Sequence, residues 1–253
     1  MAIPTEKRRP VVVSFSGMDG AGKSTQINAL ATCAKQAGLW VRLIAFWDDV
    51  ARLTSVRETA GHTLFNGEKG VGTPEKPVER RDKNVRSSFM TAVRLFLYSV
   101  DAVSLRQVVQ KSRRSDVDLI IFDRYAYDEL VNLTLSNPLA RAYVRMVMRL
   151  VPRPDISYVL DANPVQARAR KPEYPLEFLY TCRESYQVLS RLVGGMTIIP
   201  PMPVQDVQRE VLKHAIERLS IRGISREQIE NLSRDLDNSQ SRLDGSVVRT
   251  AAS

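Results

Sequence analysis

The stretch Val11-Val12-Val13-Ser14-Phe15-Ser16-Gly17-Met18-Asp19-Gly20-Ala21-Gly22-Lys23-Ser24-Thr25 decides how the rest of the chain is read. Val11 to Phe15 is a short apolar, β-branched run, the pattern of a strand buried on both faces of a parallel sheet. Ser24 to Lys35 has helical spacing, with Ile27, Leu30, Ala31 and Ala34 on one stripe and Gly38 as its stop. Between strand and helix, Gly17 to Ser24 satisfies G-x-x-x-x-G-K-[ST] in full. Glycines let the backbone turn tightly and aim its N–H groups inward, and the helix N-terminus adds about half a positive charge at the same point. Such a cup suits phosphate. Lys23 is placed to reach β- and γ-phosphate oxygens, and the Ser24 hydroxyl to sit on a bridging magnesium ion. Gly17, Asp19, Gly20, Ala21, Gly22, Lys23, Ser24 and Thr25 form the candidate nucleotide-binding set. The plainer alternative is a Gly-rich strand-to-helix turn with a surface lysine.

Working outward, strands and helices alternate. Trp40 to Phe46 reads as a second strand, Phe89 to Val109 as a long helix, and Asp118 to Phe122 as a strand. Helices follow at Leu139 to Leu150, Leu176 to Leu192 and Val204 to Leu219, with strands at Ile156 to Leu160 and Met196 to Ile199. This order predicts a three-layer α/β/α sandwich around a mostly parallel five-stranded sheet. Residues 1 to 10 read as a flexible lead-in, 11 to 220 as the folded domain, and 221 to 253 as a polar, largely disordered tail with one weak helical piece at Arg226 to Leu236. Residues 48 to 86, rich in Gly and Pro, read as an excursion of the kind that covers sites.

The 253 residues are 43% hydrophobic and 26% charged, which excludes a fibrous or wholly disordered chain. Two cysteines and two histidines exclude a disulfide framework and a cysteine-only zinc site, and they fit a reducing, cytoplasmic setting. No apolar window is long enough to cross a membrane. The net charge of +9 admits nucleic acid or small polyanions as partners. From Lys76 to Arg114 there are ten Lys/Arg against Glu79, Asp82 and Asp101, whereas the tail from Arg222 is balanced. Charge concentrated in one loop and one helix favours a site for small polyanions, and nucleic acid is the weaker reading.

A second motif is Asp118 to Tyr125, DLIIFDRY. A strand ending in Asp at the same sheet edge as the loop can place a carboxylate on magnesium, so Asp123 joins Ser24 as a candidate metal ligand; a helix N-cap is the alternative. Arg124 stands where many ATPases carry a water-activating Glu, which favours transfer to a bound acceptor over hydrolysis. No N/T-K-x-D guanine-recognition segment is present.

With FSGMDGAGKST (Phe15 to Thr25), LFLYSVDA (Leu95 to Ala102), FDRYAYD (Phe122 to Asp128), RPDISYVLDANPVQARARK (Arg153 to Lys171) and RESYQVL (Arg183 to Leu189), the chain resembles the thymidylate kinase-like group of P-loop nucleoside monophosphate kinases. The resemblance spans about Val11 to Leu219. It implies ATP and Mg2+ as cofactors, nucleotides as small-molecule partners and dTMP as the default acceptor. It implies that Asp19 approaches the acceptor sugar, that Phe46, Tyr98 and Asp101 line the acceptor site with Tyr98 stacking on the base, and that Arg124 bridges donor and acceptor phosphates. It also implies that Arg170 packs on the donor adenine, with Arg168 and Lys171 as further cations of a lid. Lys23, Arg124, Arg170 and Asp19 are then the catalytic set.

Plainer readings stand beside these. Tyr98 lies on an apolar helix and fits a core equally well, the Arg168 to Lys171 cations suit a solvated helix end, and Arg124 has a structural alternative. The chain also departs from the family pattern. Phe46-Trp47-Asp48-Asp49 stands where an Arg-bearing segment holds the acceptor phosphate, Ala102 follows Asp101 where an Arg is usual, and the lid is short. Arg52, Arg57 or Arg94 are candidates to compensate. Two other functions therefore stay open: a divergent kinase acting on a nucleoside or sugar-like metabolite, and a non-catalytic nucleotide-binding module. The apolar stripe of Phe89 to Val109 is wide enough for a homodimer contact, though a core helix has the same pattern.

Overall fold

The computed structural model describes residues 9–51 and 88–234, and the side chains of 91–234 in the second stretch. Among the described residues five strands, β1 (Val11–Ser16), β2 (Val41–Ala45), β3 (Leu119–Asp123), β4 (Ile156–Leu160) and β5 (Thr197–Ile199), form one sheet in the order β2-β3-β1-β4-β5. Every pairing is parallel. Between β1 and β2 runs α1 (Lys23–Gln36), and the long α2 (Ser88–Arg113) leads into β3. The short α3 (Tyr127–Leu130) and α4 (Pro138–Leu150) join β3 to β4. Then α5 (Pro164–Arg170) and α6 (Leu176–Val193) precede β5, and α7 (Val204–Ile221) follows it.

The alternation of the strands sorts the core into two layers. Val12, Ile120, Phe122 and Val159 face α2, α4 and α6. Val11, Val13, Phe15, Leu119, Ile121, Tyr158 and Leu160 face α1 and α7. All six residues of β1 are buried, as a central strand covered on both faces requires. At the sheet edge, by contrast, β2 leaves Leu43 47% exposed. Two helices start on the same device: Asn137 before Pro138 and Asn163 before Pro164 each accept from the backbone N–H two residues on, at 2.8 and 2.9 Å.

Three sequence expectations change. The second strand ends at Ala45, one residue early, because Phe46–Val50 forms a single π-helical turn whose entry is capped by Asp49, its Oδ2 accepting from Ala45 N–H at 2.8 Å. The fold does not stop at residue 220: residues 226–234 are helical, and Ile224 and Leu232 are buried among the residues of α1 and α7. A few apolar side chains at helical spacing dock on a preformed surface, a signal that the polar composition of residues 221–253 dilutes. Finally, part of the basic charge read as serving a site for small polyanions sits elsewhere. Since α2 delivers the chain to the start of β3, Lys111 and Arg113 in its last turn lie at the opposite edge of the sheet from the loop, with Arg113 donating to Arg153 O at 3.3 Å. Most of the 48–86 excursion, including Arg52 and Arg57, lies outside the described residues, as does the tail from 235.

Candidate active site

The site grows from the end of β1. Gly17 (φ 140°) turns the chain out of the strand directly against β4, where a Cβ would lie 2.6 Å from Leu160 O. Gly20 (φ 81°) packs on α5, where a Cβ would meet Ala167 O at 2.3 Å. Only glycine fits either place. The loop thus folds tightly enough for Lys23, in the first turn of α1, to reach back over it. Its Nζ donates to Gly17 O and Met18 O, both at 2.9 Å, and lies 4.0 Å from the Asp19 carboxylate. Burial, aided by the neighbouring Arg124 charge, lowers the Lys23 pKa to about 8 against the pull of Asp128, Asp19 and Asp123. Its two hydrogen bonds go to neutral loop carbonyls, which phosphate oxygens could replace.

At the end of β3 the register sets Asp123 opposite Phe15 and Ala45, level with the loop. Arg124 follows with φ 70°, the only positive φ on a non-glycine residue among those described. The left-handed region costs such a residue about 1 to 2 kcal/mol. Its N–H donates to Phe15 O at 3.0 Å, which fixes the corner beside the loop. The guanidinium then spans two carboxylates: Nη2 meets Asp19 Oδ1 at 2.5 Å and Nη1 faces Asp128 Oδ1 at 3.5 Å. Burial works against the Arg124 charge, but Asp128 and Asp19 outweigh it and raise the pKa further. Burial likewise pushes Asp19 up, yet Arg124, Lys23 and Lys171 together leave it below its ordinary value.

From the other side α5 brings Arg170, whose Nη1 donates to Gly20 O at 3.2 Å. Arg168 is half-buried and Lys171 is exposed, the latter paired with Glu173 at 3.2 Å. The short connection to α6 is anchored rather than loose: Tyr174 and Leu179 are buried together with Met18 of the loop, and Tyr174 packs on Phe178 at 5.1 Å. Beyond Gly22 and Thr25 opens a cleft of about 610 Å³, walled by Asn163, Gln166 and Arg170 on one side and Pro201, Met202 and Pro203 on the other. Arg183 holds its floor through a bidentate pair with Asp161, at 2.8 and 2.7 Å.

The loop residues Gly17 to Thr25, Asp123, Arg124 and Arg170 are therefore gathered at one end of the sheet. The acceptor-side candidates are placed differently. Phe46 is fully buried, its ring edge-on to Trp47 at 5.2 Å, and Tyr98 and Asp101 are buried one turn apart on α2, Tyr98 in the core layer containing Tyr125 and Tyr186. Ala102 is buried too. Asp49, at the position where an acid opposes a phosphate, has the local task of capping the turn. Sequence reasoning missed Asp128, Tyr186, Asp161 and Arg183, although all four lie within motifs it quoted. Residue type alone does not reveal that elements distant in sequence converge on them.

A glycine loop between the central strand and first helix of a parallel sheet, with a lysine folded over it, defines a P-loop α/β fold. No family model matches the chain. In sequence it is similar to the thymidylate kinases of Prochlorococcus marinus strains MIT 9312 and AS9601, 21% and 20% identical over 219 residues, which cover 82% of this chain and 96% of each relative. Among solved structures, thymidylate kinase from Candida albicans matches with a TM-score of 0.56 at 18% identity, covering 87% of this chain and 97% of that one. The chain is thus similar to thymidylate kinases in sequence along most of its length and shares the fold of one of them.

Proposed function

We propose that the protein is an ATP- and Mg2+-dependent phosphotransferase that moves the γ-phosphoryl group of ATP to a nucleoside monophosphate, with dTMP the first acceptor to assay. The observation that carries this reading is the convergence of Lys23, Arg124 and Arg170 on one glycine loop, with Asp19 among them. Three cations around a cradle of backbone N–H groups suit the charge of a transferring phosphoryl group, and the chemistry asks little of the protein beyond position and electrostatics.

Lys23 would exchange its two loop carbonyls for β- and γ-phosphate oxygens. Arg124 would leave Asp19 for the phosphates, which frees Asp19 to accept from an acceptor hydroxyl. Arg170, at the mouth of the cleft, would cover the donor base lying between α5 and the Pro201–Pro203 segment. The hydroxyl of Ser24, exposed in the first turn of α1, and the carboxylate of Asp123 are hard oxygen donors of the kind magnesium prefers. Held by these two residues, magnesium would supply charge neutralisation to the transferring phosphoryl group. The thymidylate kinases of Prochlorococcus and Candida, similar along most of their length, support the acceptor class. We further propose a cytoplasmic enzyme: among the described residues no helix is long and apolar enough to cross a membrane.

The test is ADP release by the full-length protein with ATP and Mg2+ across dTMP, dUMP, other nucleoside monophosphates and unphosphorylated nucleosides. Turnover with a nucleoside monophosphate, lost in a folded Lys23→Ala variant, is the expected result. Turnover confined to unphosphorylated acceptors, the outcome that Asp49 and Ala102 would favour, overturns the acceptor class. ATP binding without turnover on any acceptor overturns the enzymatic reading.

A further inference from the structure

The loop and Arg124 account for only part of the charge network beneath them. Asp128, in the first turn of α3, has a side chain 1% exposed, and both of its oxygens are occupied. Oδ2 accepts from Ser16 Oγ at 2.6 Å and from Tyr125 N–H at 3.0 Å. Oδ1 accepts from the Tyr186 hydroxyl at 2.8 Å and faces Arg124 Nη1 at 3.5 Å. An acid that served only to start α3 would need no more than the Tyr125 amide. The remaining partners come from three other places: the last residue of β1 before the loop, the positive-φ corner after β3, and the middle of α6.

These partners divide the surroundings of Arg124. On the loop side stands Asp19, 20% exposed, which an incoming anion can displace. On the inner side stands Asp128, sealed from solvent, which an anion cannot reach. A guanidinium held by one buried carboxylate keeps its position and orientation when its outer partner leaves. The Tyr186 hydroxyl in turn fixes Asp128: burial and the adjacent carboxylate push its pKa well up, so it remains a donor at any working pH. We propose that Asp128, oriented by Tyr186 and Ser16, is the positioning residue of this site, anchoring Arg124 over the phosphate loop while the Asp19 contact gives way to bound phosphate. This deepens the phosphotransferase reading and rests on it for the reaction, but not for the binding of ATP.

The test is a double-mutant cycle in the full-length protein with Asp128→Asn, Arg124→Met and the pair. It is read both by ADP release with dTMP and by calorimetric binding of ATP. Misplacing a transition-state cation by about 1 Å can cost about 100-fold, so Asp128→Asn is expected to lower kcat by that order and to weaken ATP binding by a smaller factor. The paired variant should be no worse than Arg124→Met alone, because the effect of Asp128 passes through Arg124. Losses that multiply, or a folded Asp128→Asn protein with wild-type kcat, overturn the proposal. Should Asp128→Asn fail to fold, Tyr186→Phe takes its place in the same cycle under the same criteria. If the wild type transfers phosphate to no acceptor, the phosphotransferase reading fails separately. The cycle is then decided on ATP affinity, where non-additive losses support the anchor and additive losses overturn it.

Discussion

Lys23 provides the sharpest quantitative prediction, because the position that suits it to phosphate destabilises the protein without one. Its amine is buried beside Arg124, and its pKa falls from 10.5 to about 8. Below pH 8 the amine is protonated in both the folded and unfolded chain, and the folded form carries the full cost of the buried charge. Between pH 8 and 10.5 the folded chain holds a neutral amine while the unfolded chain still binds the proton, so raising the pH favours folding. Above 10.5 the amine is neutral in both forms, and the cost is gone. A pKa change of this size corresponds to about 3 kcal/mol. Lys23→Met keeps the length and apolar stem of the side chain but removes the charge. Urea unfolding of both proteins from pH 7 to 10.5 should therefore show wild-type stability rising relative to Lys23→Met by about 3 kcal/mol. Ionisation of the buried tyrosines at high pH affects both proteins alike and cancels in the difference. Parallel curves would refute the reasoning. The same linkage predicts that ATP, by restoring anionic partners to the amine, drives proton uptake at pH 8.5. That uptake is measurable as a buffer-dependent binding enthalpy and absent from Lys23→Met.

Three further outcomes are expected. Gly20→Ala places a methyl group against the backbone carbonyl of Ala167, so ATP binding should weaken at least tenfold through displacement of the loop from α5, as titration calorimetry would detect. Leu232→Ala, at a fully buried position beyond the expected domain end, should destabilise by roughly 2 to 5 kcal/mol in urea unfolding; an unchanged midpoint would remove residues 222–234 from the fold. Arg170→Ala, which loses the contact to Gly20 O at the mouth of the cleft, should raise KM for ATP with little effect on the unfolding temperature. An unchanged KM would return Arg170 to an ordinary helix end.

Much of this architecture was legible because its signals are local. The Val11 to Phe15 run, the glycine spacing of the loop and the apolar stripe of Ser24 to Lys35 each depend on a few nearby residues and on backbone chemistry that does not change with context. The acceptor side was less legible. Phe46, Tyr98 and Asp101 are residue types that serve equally in a ligand wall and in a core, and the tertiary structure buries all three. Asp49 illustrates the same ambiguity, since an acid that by charge alone would oppose a phosphate is engaged in closing a turn through Ala45 N–H. For Leu232 and Ile224, composition averaged over a polar segment concealed side chains that pack on α1 and α7.

By itself the sequence determined that a strand enters a phosphate loop and leaves it through a helix, that strands and helices alternate around a parallel sheet, and that Lys23, Asp123 and Arg124 stand at the same sheet edge. These follow from periodicity and from the narrow backbone tolerance of glycine and proline. Only the tertiary structure decided how the charges are paired: Arg124 between Asp19 and Asp128, Asp128 beneath Ser16 and Tyr186, and Arg183 on Asp161 at the floor of the cleft. Such pairs join residues up to 112 positions apart. Their strength depends on distance and burial, which have no counterpart in the linear order of the chain.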